Sequence, residues 1–402
     1  MNKVFKISGW LLGGLIGLLL IVICLNWQSS VLLYKTSVLF DKENIVGNFS
    51  NMRGIMPSID LKKSGPEHEF GQQSKALPET YSYKGENKSL QDFLNRSSTT
   101  ALLVLKGNDI TFEDYYQGTG EFDQRISWSM GKSMLSALFG IAVEEGHINS
   151  INELVTDYVP ELKGSGYDGV TIKNILQMSS GVAFNEDYED FFSDINRMKR
   201  VLATGGSFDD FAATLVNERE PGTFMHYVSI DTHVIGMVLR KATGRPVAEY
   251  FKEKIWSKLG SEQDTYFVTD LTGEPMVLGG LSMLTRDFAK FGKLYLDDGQ
   301  WHGEQVVPKK WVQDSVTPDA PHLMPGKRDT AKFDLGYGYQ WWLPIDADEE
   351  FMAIGIYDQF IYVNKKANVV IVKNSANIDF MNNNYEFALE TTEAFRAIAA
   401  SL

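Results

Sequence analysis

Apolar residues follow several distinct patterns along the chain, and each pattern predicts a different element. A nearly unbroken apolar run over about residues 7–25 has the length that a bilayer core requires. Two short β-rich runs, 101–105 and 110–116, are separated by turn residues, and this spacing predicts a hairpin. From Ser129 to Gly146 the apolar residues recur at helical spacing, which predicts a long helix with Gly146 as its stop.

The same patterns divide the rest of the chain into an arm and one large domain. Residues 29–77 carry Gly, Pro, Ser and mixed charge with little periodicity, and we interpret them as a tether and N-terminal arm. Residues 78–402 begin with the hairpin and end with a β-rich run at 355–372 and a helix at about 384–400. Residues 148–284 are mainly helical in pattern. We therefore predict an α/β (α+β) fold, with an antiparallel sheet built from both chain ends, flanking helices and an inserted helical domain.

Residues 1–28 are predicted to be a transmembrane signal anchor. Lys3 and Lys6 precede the apolar run and the chain beyond it is acidic, which places the N-terminus in the cytoplasm and the domain outside it. Trp10 and Trp27 fit interfacial positions. A cleaved signal peptide is the alternative, but no Ala-x-Ala pair follows the run. The expected location is the cytoplasmic (inner) membrane, with a single pass and a periplasmic domain.

Composition narrows the possible partners of the chain. The 402 residues have a net charge of −14, which disfavours nucleic acid because a polyanion needs a basic face. Cys24 is the single cysteine, so no internal disulfide or cysteine-cluster metal site is available. The six histidines lack the His-Glu-x-x-His spacing, and we expect no metal and no cofactor. Glycines 9, 13 and 17 would let two membrane helices approach, so an oligomer is possible but unsupported.

A candidate nucleophile lies where the long helix begins. Ser129 and Lys132 form a Ser-x-x-Lys motif, and residues three apart on a helix share a face. A serine hydroxyl needs a base, and a lysine can serve if burial lowers its pKa. The alternative is that Ser129 only caps the helix and Lys132 is solvated. Residues 131–133 also resemble the end of a phosphate-binding loop, but Ile126 stands where that loop requires glycine.

Several segments together resemble a known family. Ser129–Lys132, Leu176–Val182, Pro221–Ser229 and Gly279–Ala289 occur in the order of the motifs of β-lactamase-related serine hydrolases, of the class C and D-alanyl-D-alanine peptidase type. The Tyr-x-Ser motif and the lack of Lys-Thr-Gly are most similar to the 6-aminohexanoate-oligomer hydrolase-like branch, which cleaves amides and esters.

The resemblance implies roles for the motif residues. Ser129 would be the nucleophile, Lys132 its base, and Tyr227 the relay that carries the proton to the leaving group. Ser229 would hydrogen-bond Lys132 or the substrate. Tyr188 lies where related enzymes carry a loop over the substrate. We interpret the acidic residues around it as a solvated face that could contact a substrate amine.

The family's third motif departs from its usual form in this chain. It would fall on an edge strand at residues 356–358, where Ile356 replaces a cation and Asp358 replaces a glycine. The missing cation puts β-lactam recognition in doubt, and the Asp358 side chain would crowd the strand. Gln359 would then offer its backbone N–H, together with that of Ser129, as an oxyanion hole.

The sequence therefore predicts a membrane-anchored serine hydrolase that acts on a small amide or ester. One alternative is a D-alanyl peptidase or β-lactamase that acts on cell-wall or antibiotic amides. Another is a catalytically silent binding or sensor module of the same fold. The retention of nucleophile, base and relay favours the enzyme.

Overall fold

The computed structural model describes Trp10, residues 13–18, Cys24 and residues 26–204, 206–381 and 386–402. Most of the predicted anchor, residues 1–28, lies outside the described residues. Within the part of the chain that is described, no helix combines the length and the apolar character needed to cross a bilayer.

The helices and strands are numbered in chain order. The α-helices are α1 (Trp27–Ser37), α2 (Ile45–Ser50), α3 (Leu90–Arg96), α4 (Met130–Glu144), α5 (Val155–Tyr158), α6 (Ile172–Leu176), α7 (Asp194–Thr204), α8 (Phe208–Ala213), α9 (Ser229–Thr243), α10 (Val247–Lys254), α11 (Thr285–Leu296), α12 (Lys309–Ser315) and α13 (Glu386–Ala400). Short 3₁₀ turns occupy Met52–Gly54, Pro160–Leu162, Trp256–Lys258 and Pro321–Leu323.

The strands are β1 (Ser58–Leu61), β2 (Gly71–Gln72), β3 (Thr80–Tyr83), β4 (Glu86–Ser89), β5 (Thr99–Lys106), β6 (Asp109–Tyr115), β7 (Arg125–Ile126), β8 (Thr265–Val268), β9 (Leu281–Met283), β10 (Gln300–Trp301), β11 (Glu304–Gln305), β12 (Gly336–Tyr337), β13 (Trp342–Leu343), β14 (Glu350–Gly355), β15 (Gln359–Asn364) and β16 (Val369–Ser375).

The main sheet combines strands from both ends of the domain, as the sequence predicted. Its order is β12-β13-β14-β15-β16-β5-β6-β2, and all neighbours are antiparallel except β2 and β6. The predicted hairpin is β5–β6, which turns between Lys106 and Asp109. The central strands read as continuous apolar runs because both faces of the sheet are covered.

Alternation along β5 shows how the two faces are used. Leu103 and Leu105 belong to the core that also holds Phe288 and Phe291 of α11. Leu102 and Val104 point to the other face and share a core with α13. The sheet is therefore a middle layer between helices, which is the architecture expected from strands at the chain ends and helices between them.

The N-terminal arm is more structured than the sequence suggested. Strand β1 pairs with β8 in a second sheet of order β1-β8-β9-β7. Leu39, Phe49 and Met52 of the arm are buried in the core. The prediction of a mainly helical segment up to residue 284 is wrong at its end, because β8 and β9 lie there. Pairing with distant strands stabilises these short strands, and local periodicity does not reveal it.

Helix α4 runs through the core below the main sheet. Every residue from Met130 through Ala142 is buried, so the helix is enclosed on all sides. Ser129, at its N-terminus, lines the two cavities described below. This arrangement fixes the start of α4 rigidly, and the candidate nucleophile stands at that start.

Candidate active site

Ser129 is the N-cap residue of α4, but its hydroxyl does not cap the helix. The preceding Trp128 has a φ of 43°, in the left-handed region that large side chains avoid. A Cβ on Gly279 would stand 3.1 Å from the carbonyl carbon of Trp128, so a side chain there would force the two backbone segments apart by a few tenths of an ångström. The strained and tightly held turn presents a half-buried serine whose hydroxyl is free for chemistry.

Lys132 follows Ser129 by one helical turn and is fully enclosed. Its Nζ lies 3.3 Å from the backbone carbonyl oxygen of Ser229, to which it donates a hydrogen bond. Nζ also lies 5.3 Å from the centre of the Tyr227 ring. Burial lowers the pKa of Lys132 to about 8, against the opposing pull of two nearby carboxylates. The lysine is therefore poised to release its proton near neutral pH.

Tyr227 and Ser229 stand at the start of α9, beside the lysine. The Tyr227 ring stacks on Trp342 of β13, with centres 5.4 Å apart and planes inclined by 18°. It is half-buried and lines a cavity that Ser129 also lines. Ser229 is buried, and its backbone carbonyl rather than its hydroxyl accepts from Lys132. The structure thus brings Ser129, Lys132, Tyr227 and Ser229 together.

Two carboxylates near Lys132 were not assigned to the site from the sequence. The backbone N–H of Ser229 donates to Glu186 Oε1 at 2.6 Å, while Oε2 is buried without a hydrogen-bond partner in the described structure. Burial raises the pKa of Glu186. Burial likewise raises the pKa of Asp231 to about 7, although Ser180 and Tyr167 donate hydrogen bonds that oppose the shift. Both carboxylates interact with the ammonium of Lys132 and raise its pKa.

The third-motif residues occupy a turn, which corrects the prediction of an edge strand. Ile356, Tyr357 and Asp358 connect β14 to β15, two central strands of the main sheet. Tyr357 and Asp358 have φ values of 60° and 65°, so Asp358 adopts a backbone conformation that glycine takes without strain. The Asp358 carboxylate is buried and accepts a hydrogen bond from Asn377 Nδ2 at 2.6 Å.

The turn approaches the nucleophile through Gly355 and Ile356 rather than through Gln359. A Cβ on Gly355 would stand 2.7 Å from the Ser127 carbonyl oxygen and 3.1 Å from the Ser129 nitrogen. Gln359 is 1% exposed, and its side-chain amide donates to carbonyl oxygens of the turn and of Ser375. It lines neither of the two cavities that reach Ser129. The role of Gln359 in an oxyanion hole stays a prediction, and its position outside both cavities does not favour it.

Two cavities in the described part of the chain meet at Ser129. The smaller, of about 80 Å³, is lined by Ser129, Glu186, Tyr188, Tyr227, Phe333, Leu335, Trp342, Ile354, Gly355, Ile356, Asp358, Phe360, Phe380, Phe387 and Ala388. The larger, of about 560 Å³, is lined mainly by α1, the arm and α7, together with Ser129, Tyr188, Ser229, Ile356 and Gly279. Apolar side chains dominate both linings, as in most small-molecule sites.

Tyr188 lies between the two cavities and lines both. Its ring meets Phe380 edge-on, with centres 5.8 Å apart. The acidic residues around it do not form one solvated face, which corrects the interpretation from the sequence. Glu189 and Asp190 are exposed, but the Glu186 carboxylate turns inward toward Lys132.

Among the described residues, no group of His, Cys, Asp and Glu side chains has an arrangement that could hold a metal ion. The chemistry available from the described side chains is that of an activated serine beside a buried amine.

Comparison with known proteins agrees with this geometry. The beta-lactamase family profile matches residues 96–386. The chain belongs to the beta-lactamase family. A 6-aminohexanoate-dimer hydrolase from Paenarthrobacter ureafaciens is 32% identical over 295 residues, which cover 71% of this chain and 75% of that protein. This beta-lactamase-family chain is therefore a serine hydrolase of the group that acts on amide or ester bonds, and the resemblance stated from the sequence is confirmed.

Solved structures show the same fold. A Bacillus anthracis protein provisionally described as a 6-aminohexanoate-dimer hydrolase superimposes with a TM-score of 0.80 at 24% identity, covering 90% of this chain and 95% of that one. A penicillin-binding protein from Bacillus halodurans gives a TM-score of 0.57 at 16% identity, and the match covers 75% of this chain and 99% of that one.

The sequence missed three further residues of the site for different reasons. Glu186 stood in an acidic run that looks solvated, and nothing local shows that its carboxylate turns inward. Asp231 follows the second motif by two residues, so its position at the start of α9 was a usable signal. Trp342 comes from a distant strand, and only the sheet register brings it to Tyr227.

Proposed function

We propose that this serine hydrolase opens a small amide or ester through an acyl-enzyme on Ser129. Ser129 Oγ bonds to the substrate carbonyl carbon while its proton passes to neutral Lys132. Tyr227 relays a proton to the leaving nitrogen or oxygen as the C–N or C–O bond breaks. Water then attacks the acyl-enzyme, the bond to Oγ breaks, and Ser129 regains its proton.

The observation that carries the proposal is a serine whose accessible hydroxyl does not cap the helix, together with a buried lysine one helical turn away. Burial holds the pKa of Lys132 at about 8, so a useful share of the amine is neutral at physiological pH. A solvated lysine would keep its proton. A module that only binds a ligand has no need for this costly burial of an amine beside a serine, which argues against the silent binding module.

The oxyanion hole is assigned to the backbone N–H groups of Ser129 and Ile356. Ser129 stands at the N-terminus of a long helix, where backbone N–H groups and the helix dipole favour negative charge. The close approach of Gly355 to the Ser129 nitrogen places the following residue beside it. This assignment replaces Gln359, whose side chain is used to close the turn.

The substrate is proposed to be a small amide or ester with apolar groups on both sides of the scissile bond. Both cavities that meet at Ser129 have mainly apolar linings. The relative from Paenarthrobacter ureafaciens is named for hydrolysis of an amide, the 6-aminohexanoate dimer. A peptidase or β-lactamase role is the less favoured alternative, because Ile356 supplies no cation for the substrate carboxylate at the third motif.

We also propose that residues 1–28 anchor the enzyme in the cytoplasmic membrane with its catalytic domain outside the cytoplasm. The apolar run of bilayer length and the two preceding lysines support this orientation. Protease protection in spheroplasts tests it. A domain that external protease cannot reach in intact spheroplasts would contradict the orientation.

The test of the catalytic proposal is intact-mass analysis of the full chain in detergent after treatment with a fluorophosphonate. We expect a single adduct on the parent protein, none on Ser129→Ala, and much slower labelling of Lys132→Ala. Turnover of short esters and anilides should disappear in the same variants. A well-folded parent that forms no adduct and cleaves none of these substrates would favour the silent binding module.

A further inference from the structure

Lys199 lies on α7 in the wall of the larger cavity, the same cavity that Ser129 and Tyr188 line. Its Nζ stands 4.7 Å from the centre of the Tyr188 ring and 5.2 Å from that of Phe40 in the N-terminal arm. Two aromatic faces from different parts of the chain thus hold the ammonium group in place.

No carboxylate forms an ion pair with Lys199 among the described residues, and no hydrogen bond to its Nζ occurs there. The two arginines nearest to it on the same helix, by contrast, have polar partners within the protein. Arg197 lies 3.3 Å from the carboxylate of Asp194, and Arg200 donates to the backbone carbonyl of Phe191 at 2.5 Å. Glu186 attracts Lys199 electrostatically, but that carboxylate is shared with Lys132.

An unpaired, half-buried ammonium group carries a desolvation cost. Burial accordingly lowers the pKa of Lys199 to about 8, and the charge of Glu186 offsets only part of this effect. Most of the surrounding wall is apolar, with contributions from Leu39, Met276 and Leu278. Glu189 also lines the cavity, but it is exposed at the rim. Arg200 lines the cavity as well, but its guanidinium donates to the Phe191 carbonyl oxygen. Among the described cations of this wall, Lys199 is therefore the one to which the protein gives neither an ion pair nor a hydrogen bond.

We propose that Lys199 is a specificity residue that binds a negatively charged group of the substrate, at the far end of an apolar chain that extends from Ser129 into the larger cavity. This inference rests on the proposed hydrolysis at Ser129 and adds the charge and shape of the substrate. An anionic group would supply the missing partner of the ammonium group, and the apolar walls would hold the chain between the two ends.

The experiment compares three matched 4-nitrophenyl esters whose six-carbon acyl chains end in a methyl, a carboxylate or an ammonium group. A second series carries the same three chains on the alcohol side of an ester, because either side of the scissile bond could enter this cavity. For each, kcat/KM is measured with the full chain and with Lys199→Met, Lys199→Glu and Lys199→Arg. Arg197→Met and Arg197→Glu are the controls, since they change charge on the same helix outside the cavity.

We expect the parent to prefer the carboxylate over the ammonium chain in one of the two series. Lys199→Met should reduce this ratio at least about tenfold, which corresponds to a loss of ~1.4 kcal/mol in binding. Lys199→Glu should invert the preference, and Lys199→Arg should retain it. Circular dichroism and the melting temperature show that each variant is folded, and the readout is the ratio between the charged esters rather than the absolute rate on the methyl-ended ester.

Two results would overturn the inference. One is a carboxylate-to-ammonium ratio that Lys199→Glu leaves unchanged in both series. The other is an equal shift in the Arg197 variants, which would indicate a general field effect rather than a contact. If the parent cleaves no ester, the proposed function fails instead. Calorimetric binding of hexanoate and hexylammonium to the Ser129→Ala protein then tests Lys199 by itself, and equal affinities would refute its role.

Discussion

The pH dependence of hydrolysis tests the role of Lys132 most directly. With a pKa of about 8, about a tenth of the amine is neutral at pH 7 and about half at pH 8. A lysine with its ordinary pKa of 10.5 would be neutral in only about 0.03% of molecules at pH 7. Burial therefore increases the share of active base about 300-fold.

We expect kcat/KM for an uncharged ester to rise about fivefold between pH 7 and pH 8 and to level off above pH 9, as the free enzyme loses the proton of Lys132. Lys132→Arg should lower kcat/KM by about 10² to 10⁴ and remove this rise, because a guanidinium keeps its proton. The profile is measured from pH 6 to pH 9.5 with the uncharged ester, so that the substrate does not titrate.

Glu186→Gln tests whether the charge of Glu186 raises the pKa of Lys132. The Glu186 carboxylate raises the pKa of Lys132, so its removal should move the rise in kcat/KM to lower pH. The variant should then be relatively more active at pH 6.5 than the parent, each compared with its own plateau. A rise that stays at the same pH, or moves to higher pH, would refute the assignment of the titration to Lys132.

Three further substitutions test the surroundings of the nucleophile. Tyr227→Phe keeps the stacked ring but removes the hydroxyl, so kcat should fall about 10² to 10⁴ with little change in the melting temperature; an unchanged kcat would exclude the relay. Gly355→Ala places a methyl group 2.7 Å from a backbone oxygen, so it should cost about 1–3 kcal/mol in denaturant unfolding and lower kcat, whereas Gly47→Ala, with open space around it, should do neither. Phe40→Ala removes the arm's ring that stacks on Tyr357 at 5.0 Å, and we expect a loss of about 2 kcal/mol in unfolding free energy; a loss below about 0.5 kcal/mol would show that the arm is not anchored there.

The local pattern of apolar residues was sufficient to predict long elements whose structure depends on residues close in sequence. The helix predicted from Ser129 is α4, and the apolar runs around residue 106 form the hairpin β5–β6. The arm was less predictable. Strand β1 has three exposed residues out of four, and its pairing with β8 depends on a segment some two hundred residues away. Local periodicity does not predict such a long-range contact.

The turn that contains the third motif also depends on contacts that the local sequence does not reveal. The identities of residues 356–358 do not predict that two of them adopt positive φ, because Tyr and Asp rarely do so. The sequence located the departure from the family pattern but placed it on a strand and assigned the oxyanion hole to Gln359. The register of β14 with β15 places Gly355 against the Ser129 nitrogen, and Ile356 lines both cavities that Ser129 lines.

The sequence by itself identified the proposed nucleophile, base and relay, because Ser129 and Lys132 are joined by one helical turn and Tyr227 lies in a short motif of the family. It also determined the fold class through the order of strands and helices. Only the tertiary structure decided the electrostatics, since burial sets the pKa of Lys132 and the chain fold turns Glu186 and Asp231 toward it. It also decided the shape of the proposed substrate site, because the arm and α7 meet there only after folding. Long-range packing rather than local sequence brings Lys199 into the larger cavity that Ser129 also lines.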